Sequence, residues 1–236
     1  MVASYVFAIT IASLTASSTE DANVCRARRC SIEGGEKSEN ADTYKFLYSR
    51  KGMNAPTSAE LPVPTSVENQ ICSSNVGMTD TLRSQFLDMH NYRRSLLALG
   101  KVKRDDNSYL LPATNMLQLR YDCALEAAAL AYASKCPSHG SNVETRRDEG
   151  ENFYKIPSNG LANFEDGAKA AVLAWWDAYR NYPDIAESTI FRMNYVGSKV
   201  TSFTQMAWAK SRKLGCSIVK CLSNYIVICR YSPRYV

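Results

Sequence analysis

Apolar residues recur at helical spacing in three stretches of this 236-residue chain. In the first stretch, Thr79 is a typical N-cap residue, Asp80 suits the first helical turn, and Gly100 predicts the end of the helix. The second stretch is alanine-rich and covers 122–135, and the third covers 164–182 with two adjacent tryptophans. The pattern predicts three amphipathic helices, the first with a face made of Leu82, Phe86, Leu87, His90, Leu96 and Leu97.

The spacing of apolar residues changes in the last third of the chain. Three short segments, 203–209, 217–220 and 225–231, are rich in aromatic and β-branched residues and predict strands, with a turn at 222–224. Helices followed by an antiparallel hairpin predict an α+β fold built in layers. If the hairpin has this register, a disulfide between Cys216 and Cys229 is geometrically natural.

The N-terminal part of the chain differs from the rest. The stretch 2–16 is apolar and uncharged, and polar residues follow from Ser17. The length of the apolar stretch and the change to polar residues after it predict a signal peptide at 1–18. The stretch is too short to span a bilayer. A buried strand or helix is the alternative. Residues 19–71 combine prolines, serines and mixed charges without apolar periodicity, which predicts an extended arm. The folded domain is expected at 72–236.

The composition is close to that of an average soluble globular protein, with 45% hydrophobic and 22% charged residues. The net charge of +5 comes from short basic clusters, such as Arg93 with Arg94, and acidic residues lie among them. Such clusters are usually solvated faces, so nucleic acid is not an expected partner, while acidic glycans and anionic membranes stay as alternatives. No segment after the signal peptide resembles a transmembrane helix, so the protein is not expected to span a membrane.

The number of cysteines indicates an oxidising environment. An even number after an export signal is typical of a disulfide framework in a secreted, extracellular protein. A zinc ribbon is the alternative, but it needs close C-x-x-C pairs and the chain has none. The eight cysteines are Cys25, Cys30, Cys72, Cys123, Cys136, Cys216, Cys221 and Cys229.

Four motifs, taken in order, resemble one known family. Gly-Met-Thr-Asp at 77–80 leads into His-Asn-Tyr-Arg at 90–93, and Gly-Glu-Asn-Phe-Tyr follows at 150–154. Phe-Thr-Gln-Met-Ala-Trp occupies 203–208, and Ile-Val-Ile-Cys-Arg-Tyr-Ser-Pro occupies 226–233. Residues 72–236 thus resemble the CAP superfamily, in particular its nematode activation-associated secreted proteins and venom-allergen-like proteins. The resemblance implies a three-layer α-β-α sandwich with an antiparallel sheet and a large central cleft.

The resemblance also implies which residues line the cleft. In many CAP proteins, two histidines and two acidic residues there can bind zinc or another divalent ion. His139 and Glu151 match two of these positions, whereas Ser202 and Ala178 stand where the second histidine and second glutamate are usual. Asp177 is one residue away from the second glutamate position, and one helical residue corresponds to a rotation of about 100°. Because a zinc site needs three or four ligands, no tight metal site and no cofactor are expected, and a weak site with only His139 and Glu151 as ligands is the alternative.

Ser202, His139 and Glu151 are also the three residue types of a hydrolase triad. However, no nucleophile elbow surrounds Ser202, and no oxyanion hole can be identified. No catalytic residue is therefore expected. The resemblance favours a secreted, non-enzymatic effector of the parasite secretory type, which binds a host extracellular protein or receptor.

One further segment bears on function. Between the tryptophan helix and the Phe-Thr-Gln motif, aromatic residues occur without a clear period, among them Tyr179, Tyr182, Phe191 and Tyr195. The segment resembles in position a loop that some CAP proteins use for sterol binding, so a carrier of sterol or fatty acid is the alternative function. The frequent burial of aromatic side chains favours the simpler interpretation that these four cover the edge of the core.

Overall fold

The computed structural model describes residues 5–6, 63–65, 68–187 and 190–235. Short 3-10 turns occupy Val143–Thr145, Ala178–Asn181 and Met193–Tyr195. The strands and longer helices are, in chain order, β1 (Tyr5–Val6), α1 (Asp80–Ala98), β2 (Arg120–Tyr121), α2 (Cys123–Ala133), β3 (Gly150–Pro157), α3 (Phe164–Asp177), α4 (Pro183–Glu187), β4 (Ile190–Phe191), α5 (Val200–Ala207), β5 (Lys213–Cys221) and β6 (Asn224–Ser232).

Helix α1 begins and ends where its capping residues predict. The Thr79 hydroxyl accepts a hydrogen bond from the backbone amide of Leu82 at 3.1 Å, which satisfies one free amide of the first turn. After the helix, Gly100 has a φ of 64°, a conformation that a side chain would make costly. Both end signals of this helix are confirmed.

A four-stranded sheet in the order β2-β5-β6-β3 forms the middle of the domain. Strand β6 pairs antiparallel with β5 and with β3, while the two-residue β2 runs parallel to β5. The strands predicted at 217–220 and 225–231 lie within β5 and β6. Cys216 lies opposite Cys229 in the β5–β6 register, and the predicted disulfide between them is confirmed.

Helices cover both faces of this sheet. On one face, Ala129 and Ala133 of α2 form a core cluster with strand residues such as Val219. On the other face, α1, α3 and α5 enclose the larger core cluster, to which the adjacent strand residue Ile218 belongs. Neighbouring strand residues enter different clusters because side chains alternate across a sheet. The three-layer α-β-α sandwich is therefore confirmed.

The strand predicted at 203–209 is wrong, because most of this segment lies in helix α5. Four buried residues of this segment recur at intervals of three or four positions: Val200, Phe203, Met206 and Ala207. That spacing places them on one helical face, which packs against α3. Packing of this face outweighs the strand propensity of the aromatic and β-branched residues. The helix predicted at 164–182 is also shorter, since α3 passes into a 3-10 turn after Asp177.

Disulfides connect the layers. Cys72 is bonded to Cys123 at the start of α2, and Cys136, beyond the end of α2, is bonded to Cys221 at the end of β5. Together with the bond between the two hairpin strands, six of the predicted cysteines are paired. Cys25 and Cys30 lie outside the described residues.

The N-terminal part of the chain is described at two places. Residues Tyr5–Val6, within the predicted signal peptide, pair antiparallel with Ile190–Phe191. In the predicted arm, Val63 packs against the core cluster beneath α2, and Pro64 is buried. Packing on the domain therefore begins before position 72, and most of 1–62 lies outside the described residues. None of the helices in the described ranges combines the length and the apolar character of a membrane span.

Candidate site in the cleft

Both carboxylate oxygens of Glu151 have hydrogen-bond or ion-pair partners. It lies on β3 directly opposite Arg230 of β6, whose Nε is 3.3 Å from Oε2. The backbone amide and the hydroxyl of Ser141 donate to the two carboxylate oxygens at 2.7 and 2.8 Å. The side chain is 2% exposed, so these bonds replace water almost completely. Arg230 also pairs with Glu149 at 3.0 Å, which makes a three-residue ion-pair cluster.

Arg230 and Ser141 are site residues that the sequence motifs do not predict. Arg230 is the single charged residue in the otherwise uncharged stretch 225–231, and such an interruption of a core strand is a signal for a buried partner. Its partner was not predictable from local sequence, because Glu151 lies 79 positions away.

His139 lies in the loop that contacts Glu151. A Cβ placed on the next residue, Gly140, would lie 3.2 Å from Glu151 Oε1, so the loop passes close to the carboxylate. The imidazole itself is exposed, and its Nδ1 lies 2.9 Å from the Gly140 carbonyl oxygen. Because a carbonyl oxygen can only accept, Nδ1 is the protonated nitrogen in this contact. The His139 carbonyl accepts a hydrogen bond from the Tyr132 hydroxyl at 3.1 Å.

Ser202 lies in the first turn of α5 and contacts only backbone groups there. Its hydroxyl is 2.8 Å from the Lys199 carbonyl oxygen and 3.2 Å from the Trp175 carbonyl oxygen. Its own carbonyl accepts from the Asn152 amide nitrogen at 3.0 Å, and Asn152 is next to Glu151 on β3. The fold thus brings Ser202, His139 and Glu151 to one region of the domain. Among the described hydrogen bonds, none joins the side chains of these three residues.

With this geometry described, comparison with known proteins gives the family. The sequence profile of the cysteine-rich secretory protein family, known as CAP, matches residues 87–231. The chain belongs to this family. Its match begins within α1 and ends within β6, so it includes nearly all of the four-stranded sheet and helices α2 to α5.

Relatives within the CAP family come from a worm and an insect. Ancylostoma secreted protein of Ancylostoma caninum is 35% identical over 170 residues, which cover 70% of this chain and 39% of that relative. Venom allergen 3 of Solenopsis invicta is 29% identical over 202 residues, which cover 82% of this chain and 85% of that relative. This chain therefore spans well under half of the Ancylostoma protein. Both relatives are proteins of the secreted or venom type.

A solved CAP structure confirms the fold. The crystal structure of NaASP2 with Zn2+ is 30% identical to this chain and has a TM-score of 0.58. The match covers 67% of this chain and 83% of that chain. The chain is thus similar in sequence and in fold to secreted proteins of the ASP type.

The remaining position of the set, Ala178, supplies no further donor. Ala178 is buried and begins the 3-10 turn after α3. The neighbouring Asp177 is directed to Arg180, whose Nε lies 3.5 Å from its carboxylate. The acidic residue next to the usual glutamate position therefore belongs to a surface ion pair.

The donor set does not fit the divalent ion that the family resemblance implies. Glu151 already accepts from Ser141 and from the Arg230 guanidinium, and a cation would have to displace that positive charge. Ser202 and Ala178 provide neither an imidazole nor a carboxylate. Within the described residues, no group of three or more His, Cys, Asp or Glu side chains is placed to hold a metal.

A buried hydrogen-bond chain joins α1 to β6, β3 and α5. His90 Nδ1 lies 2.7 Å from the Phe86 carbonyl oxygen and therefore donates, so Nε2 accepts from the Tyr231 hydroxyl at 2.9 Å. The Tyr231 oxygen in turn accepts from the Asn152 amide at 3.1 Å, and Asn152 also donates to Ser202. Burial lowers the pKa of His90 to about 3, so the imidazole is neutral. His90 thus has the structural role that its helix motif predicts.

The interpretation of the Arg93–Arg94 cluster as a solvated face is wrong for Arg94. Its side chain is 1% exposed, and burial lowers its pKa to about 9. The guanidinium donates to backbone carbonyl oxygens and not to a carboxylate. These hydrogen bonds join α1 to the loops around α5. The acceptors are the carbonyl oxygens of Leu117, Met206, Trp208, Ala209 and Ser211.

The four aromatic residues of the segment between α3 and α5 lie in or against the larger core cluster. Tyr179, Phe191 and Tyr195 are each 3% exposed, and Tyr182 is half-buried. Their rings contact one another, with centroid distances of 5.8 Å for Phe191–Tyr195 and 6.0 Å for Tyr182–Tyr195. The Tyr195 hydroxyl donates to Asp184, and burial together with this bond raises the pKa of Tyr195 to about 12. In this conformation the rings cover the core edge.

Proposed function

We propose that the protein is a secreted, non-enzymatic CAP effector that binds a host extracellular protein or receptor. The observation that carries this proposal is the state of the three polar cleft residues. Ser202 and Glu151 hydrogen-bond to structural partners, His139 Nδ1 contacts the Gly140 carbonyl oxygen, and among the described hydrogen bonds none joins two of these side chains. Binding of a protein needs none of these residues to react.

A hydrolase would need a different arrangement. Nucleophilic catalysis requires a base within hydrogen-bond reach of the hydroxyl, and a third group that orients the base. In this cleft the Ser202 hydroxyl faces two carbonyl oxygens, and both oxygens of Glu151 accept from Ser141. Activation of Ser202 would first have to break these bonds, and this favours a binding role.

The Zn2+ named for the NaASP2 structure is not expected to bind at the corresponding residues of this chain. A tight site would need the two donors that Ser202 and Ala178 replace, and Glu151 is already ion-paired with Arg230. Calorimetric titration of the oxidised protein with Zn2+ is expected to give no saturable binding in the micromolar range. Saturable binding that a Glu151→Gln variant loses would contradict this part of the proposal.

The relatives' names support an extracellular site of action, since one is a secreted protein and one a venom allergen. The test is saturable binding of labelled, oxidised protein to intact mammalian peripheral-blood leukocytes, with excess unlabelled protein as competitor. Reduced and alkylated protein is the control, because loss of the disulfides removes the folded surface. Absence of competed binding would contradict the proposal.

The proposal that the protein is not an enzyme is tested by a separate measurement of hydrolysis. Wild type, Ser202→Ala and His139→Ala are compared for hydrolysis of a generic activated ester and of casein. All three are expected to show the same background rate. Turnover by wild type that both variants lose would show that the cleft is an active site.

Carriage of sterol or fatty acid is the second candidate, because aromatic rings are concentrated between α3 and α5. The shallow groove beside Tyr179 is lined mainly by charged side chains, including Arg104, Asp105 and Arg180, which do not suit an apolar ligand. A lipid would therefore have to separate the packed rings of Phe191 and Tyr195. Native extraction followed by mass spectrometry, on wild type and on Phe191→Ala/Tyr195→Ala, distinguishes this candidate from protein binding.

A further inference from the structure

The guanidinium of Arg146 makes no strong bond to any described residue. Its Nε is buried, and no described group accepts a hydrogen bond from it. Its Nη1 and Nη2 lie 3.4 and 3.3 Å from the carbonyl oxygens of Glu149 and Ser141, beyond the usual range of about 2.7–3.2 Å for such bonds. A buried N–H of a charged group without an acceptor is unfavourable, and most buried polar groups have a partner. Arg146 therefore lacks the acceptor that its charge requires.

Two carboxylates lie close to Arg146, but both pair with a different arginine. Arg230 Nη1 is 3.0 Å from Glu149, and Arg230 Nε is 3.3 Å from Glu151. Burial lowers the pKa of Arg146, and the two carboxylates oppose this shift. The charges of Arg230 and Arg234 act in the same direction as burial. The guanidinium of Arg146 is thus surrounded by positive charge that the nearby carboxylates balance only in part.

The chain after β6 brings Arg234 to the same place. The backbone amide of Arg234 donates to the Asp148 carbonyl oxygen at 2.9 Å, and the amide of Tyr235 donates to Gln205 Oε1 at 3.3 Å. These two bonds hold Arg234 beside the loop that carries Arg146. The Arg234 side chain is half-buried, and no carboxylate of the described ranges pairs with it. Two arginines from different segments therefore face this region without an acidic partner of their own.

Three guanidiniums and two carboxylates form this group, which we call the arginine cluster: Arg146, Arg230, Arg234, Glu149 and Glu151. It has one positive charge in excess, and the exposed Arg147 and Asp148 of the same loop cancel each other. A neutral acceptor would satisfy Arg146 Nε and leave this charge in place. An anion does both, and its bonds to guanidinium groups are stronger where water is partly excluded.

We propose that the arginine cluster binds a tetrahedral oxyanion, a sulfate or phosphate group, between the guanidiniums of Arg146 and Arg234. A guanidinium donates through a planar fork of N–H groups that matches such oxygens. Because the two arginines belong to different segments, a ligand that contacts both needs oxygens directed to two sides, as a tetrahedral group has. Arg230 keeps both glutamates, so no ion pair has to break. This inference goes beyond the proposed function and needs no protein partner.

The test is a titration of the full-length, oxidised protein with inorganic sulfate and, separately, with inorganic phosphate, against sodium chloride at equal ionic strength. Either oxyanion is expected to raise the unfolding temperature saturably beyond the effect of chloride, because a ligand of the folded state stabilises it. In Arg146→Met and in Arg234→Gln the apparent affinity is expected to fall about tenfold or more, since each loses charge-assisted hydrogen bonds. The relative affinities of the two ions for wild type distinguish a sulfate site from a phosphate site.

Arg120→Gln is the matched control, because it removes one exposed arginine on β2, at the opposite edge of the sheet from β3. It is expected to respond like wild type. A second readout is independent of stability: the Arg146 Nε–H signal in a proton–nitrogen correlation spectrum, assigned by its loss in Arg146→Met. This signal is expected to shift saturably as sulfate is added.

Sulfate stabilises folded proteins in general, so the comparison between variants decides the outcome. An equal rise of the unfolding temperature in wild type and Arg146→Met would overturn the site, and so would an Nε–H signal that sulfate does not move. An equal saturable response to acetate would overturn the assignment to a tetrahedral group. Each of these results would leave the proposed function intact, because leukocyte binding is measured separately.

Discussion

Helix α1 buries three basic side chains, and each has a different kind of partner. Arg83 pairs with the carboxylate of Glu126, His90 bonds to a tyrosine hydroxyl, and Arg94 donates to backbone carbonyls. All three are at most 1% exposed. Burial of such groups is unfavourable unless hydrogen bonds replace their water, so the stability of the domain depends on these partners.

The neutral state of His90 predicts how stability depends on pH. Its pKa is about 3 in the folded protein, because of burial, and about 6.5 in the unfolded chain. The unfolded state therefore binds the extra proton first as pH falls, so the stabilisation is complete above about pH 6.5 and is lost toward pH 3. Between about pH 6.5 and 4.5 we expect a loss of about 1.4 kcal/mol per pH unit from this group, measured by urea unfolding.

The control for this pH dependence is His90→Gln. It removes the titrating group, and it is expected to be less stable than wild type at pH 7 because the bond to Tyr231 changes. Its unfolding free energy is expected to vary much less between pH 6.5 and 4.5, a range above the usual pKa of carboxyl groups. An equal slope in wild type and variant would show that His90 is not the responsible group.

A single substitution in the Arg83–Glu126 pair is expected to lower the unfolding free energy strongly. Arg83 Nε and Nη2 donate to the two carboxylate oxygens at 2.7 and 2.8 Å, and both side chains are fully buried. Glu126→Gln leaves the guanidinium charge without its main partner, so we expect a loss of about 3 kcal/mol in unfolding free energy. Asp106→Asn is the control, because the Asp106 side chain is 56% exposed and lies 3.5 Å from Arg104; it is expected to unfold at the same urea concentration as wild type.

At the scale of elements, neighbouring residues determine the ends of α1, whereas packing against a distant helix determines the structure of 200–207. The ends of α1 follow from Thr79 and Gly100, because a cap and a left-handed stop are decided by neighbouring residues. Helix α5 was predicted as a strand, because Phe203 and Thr204 have strand propensity and only packing against α3 decides otherwise.

The candidate site was predictable only as a set of positions. Motif resemblance places His139, Glu151 and Ser202 near one another, and the contacts through Gly140 and Asn152 bring them to one region. The hydrogen-bond and ion-pair partners of these residues are determined by the pairing of β3 with β6, by the loop before β3 and by the packing of α5 against α3. These are contacts between distant parts of the chain, which no local pattern contains.

The contact between α2 and β5 predicts that Gly215 cannot be replaced. A Cβ at this position would lie 2.2 Å from the backbone nitrogen of Glu126 and 2.6 Å from the Asp122 carbonyl oxygen. Because backbone atoms of a helix start cannot move aside cheaply, Gly215→Ala is expected to cost about 3 kcal/mol or more in thermal or urea unfolding. Gly160→Asn is the control, since nothing lies within 4 Å of a Cβ there and asparagine tolerates its positive φ; we expect about 1 kcal/mol or less. Equal stability of Gly215→Ala and wild type would contradict this packing.

At the scale of the whole molecule, residues before the predicted domain start contribute to the fold. Asp80 accepts from the backbone amides of Gln70 and Ile71 at 2.6 and 3.2 Å, and Arg83 donates to the Asn69 side chain at 2.6 Å. Val63 packs beneath α2. These contacts join the end of the predicted arm to α1 and α2, next to the Cys72–Cys123 disulfide.

This arrangement predicts where the chain can be shortened. A chain that begins at Val63 keeps these contacts and loses the pairing of Tyr5–Val6 with β4, so it is the reference for a second, shorter chain. A chain that begins at Cys72 keeps the disulfide but loses the contacts of residues 63–71. We expect it to unfold at a lower urea concentration than the chain that begins at Val63, with unchanged helix content by circular dichroism. If both shortened chains unfolded at the same urea concentration, residues 63–71 would have no structural role, and the domain would begin at 72 as the sequence pattern predicts.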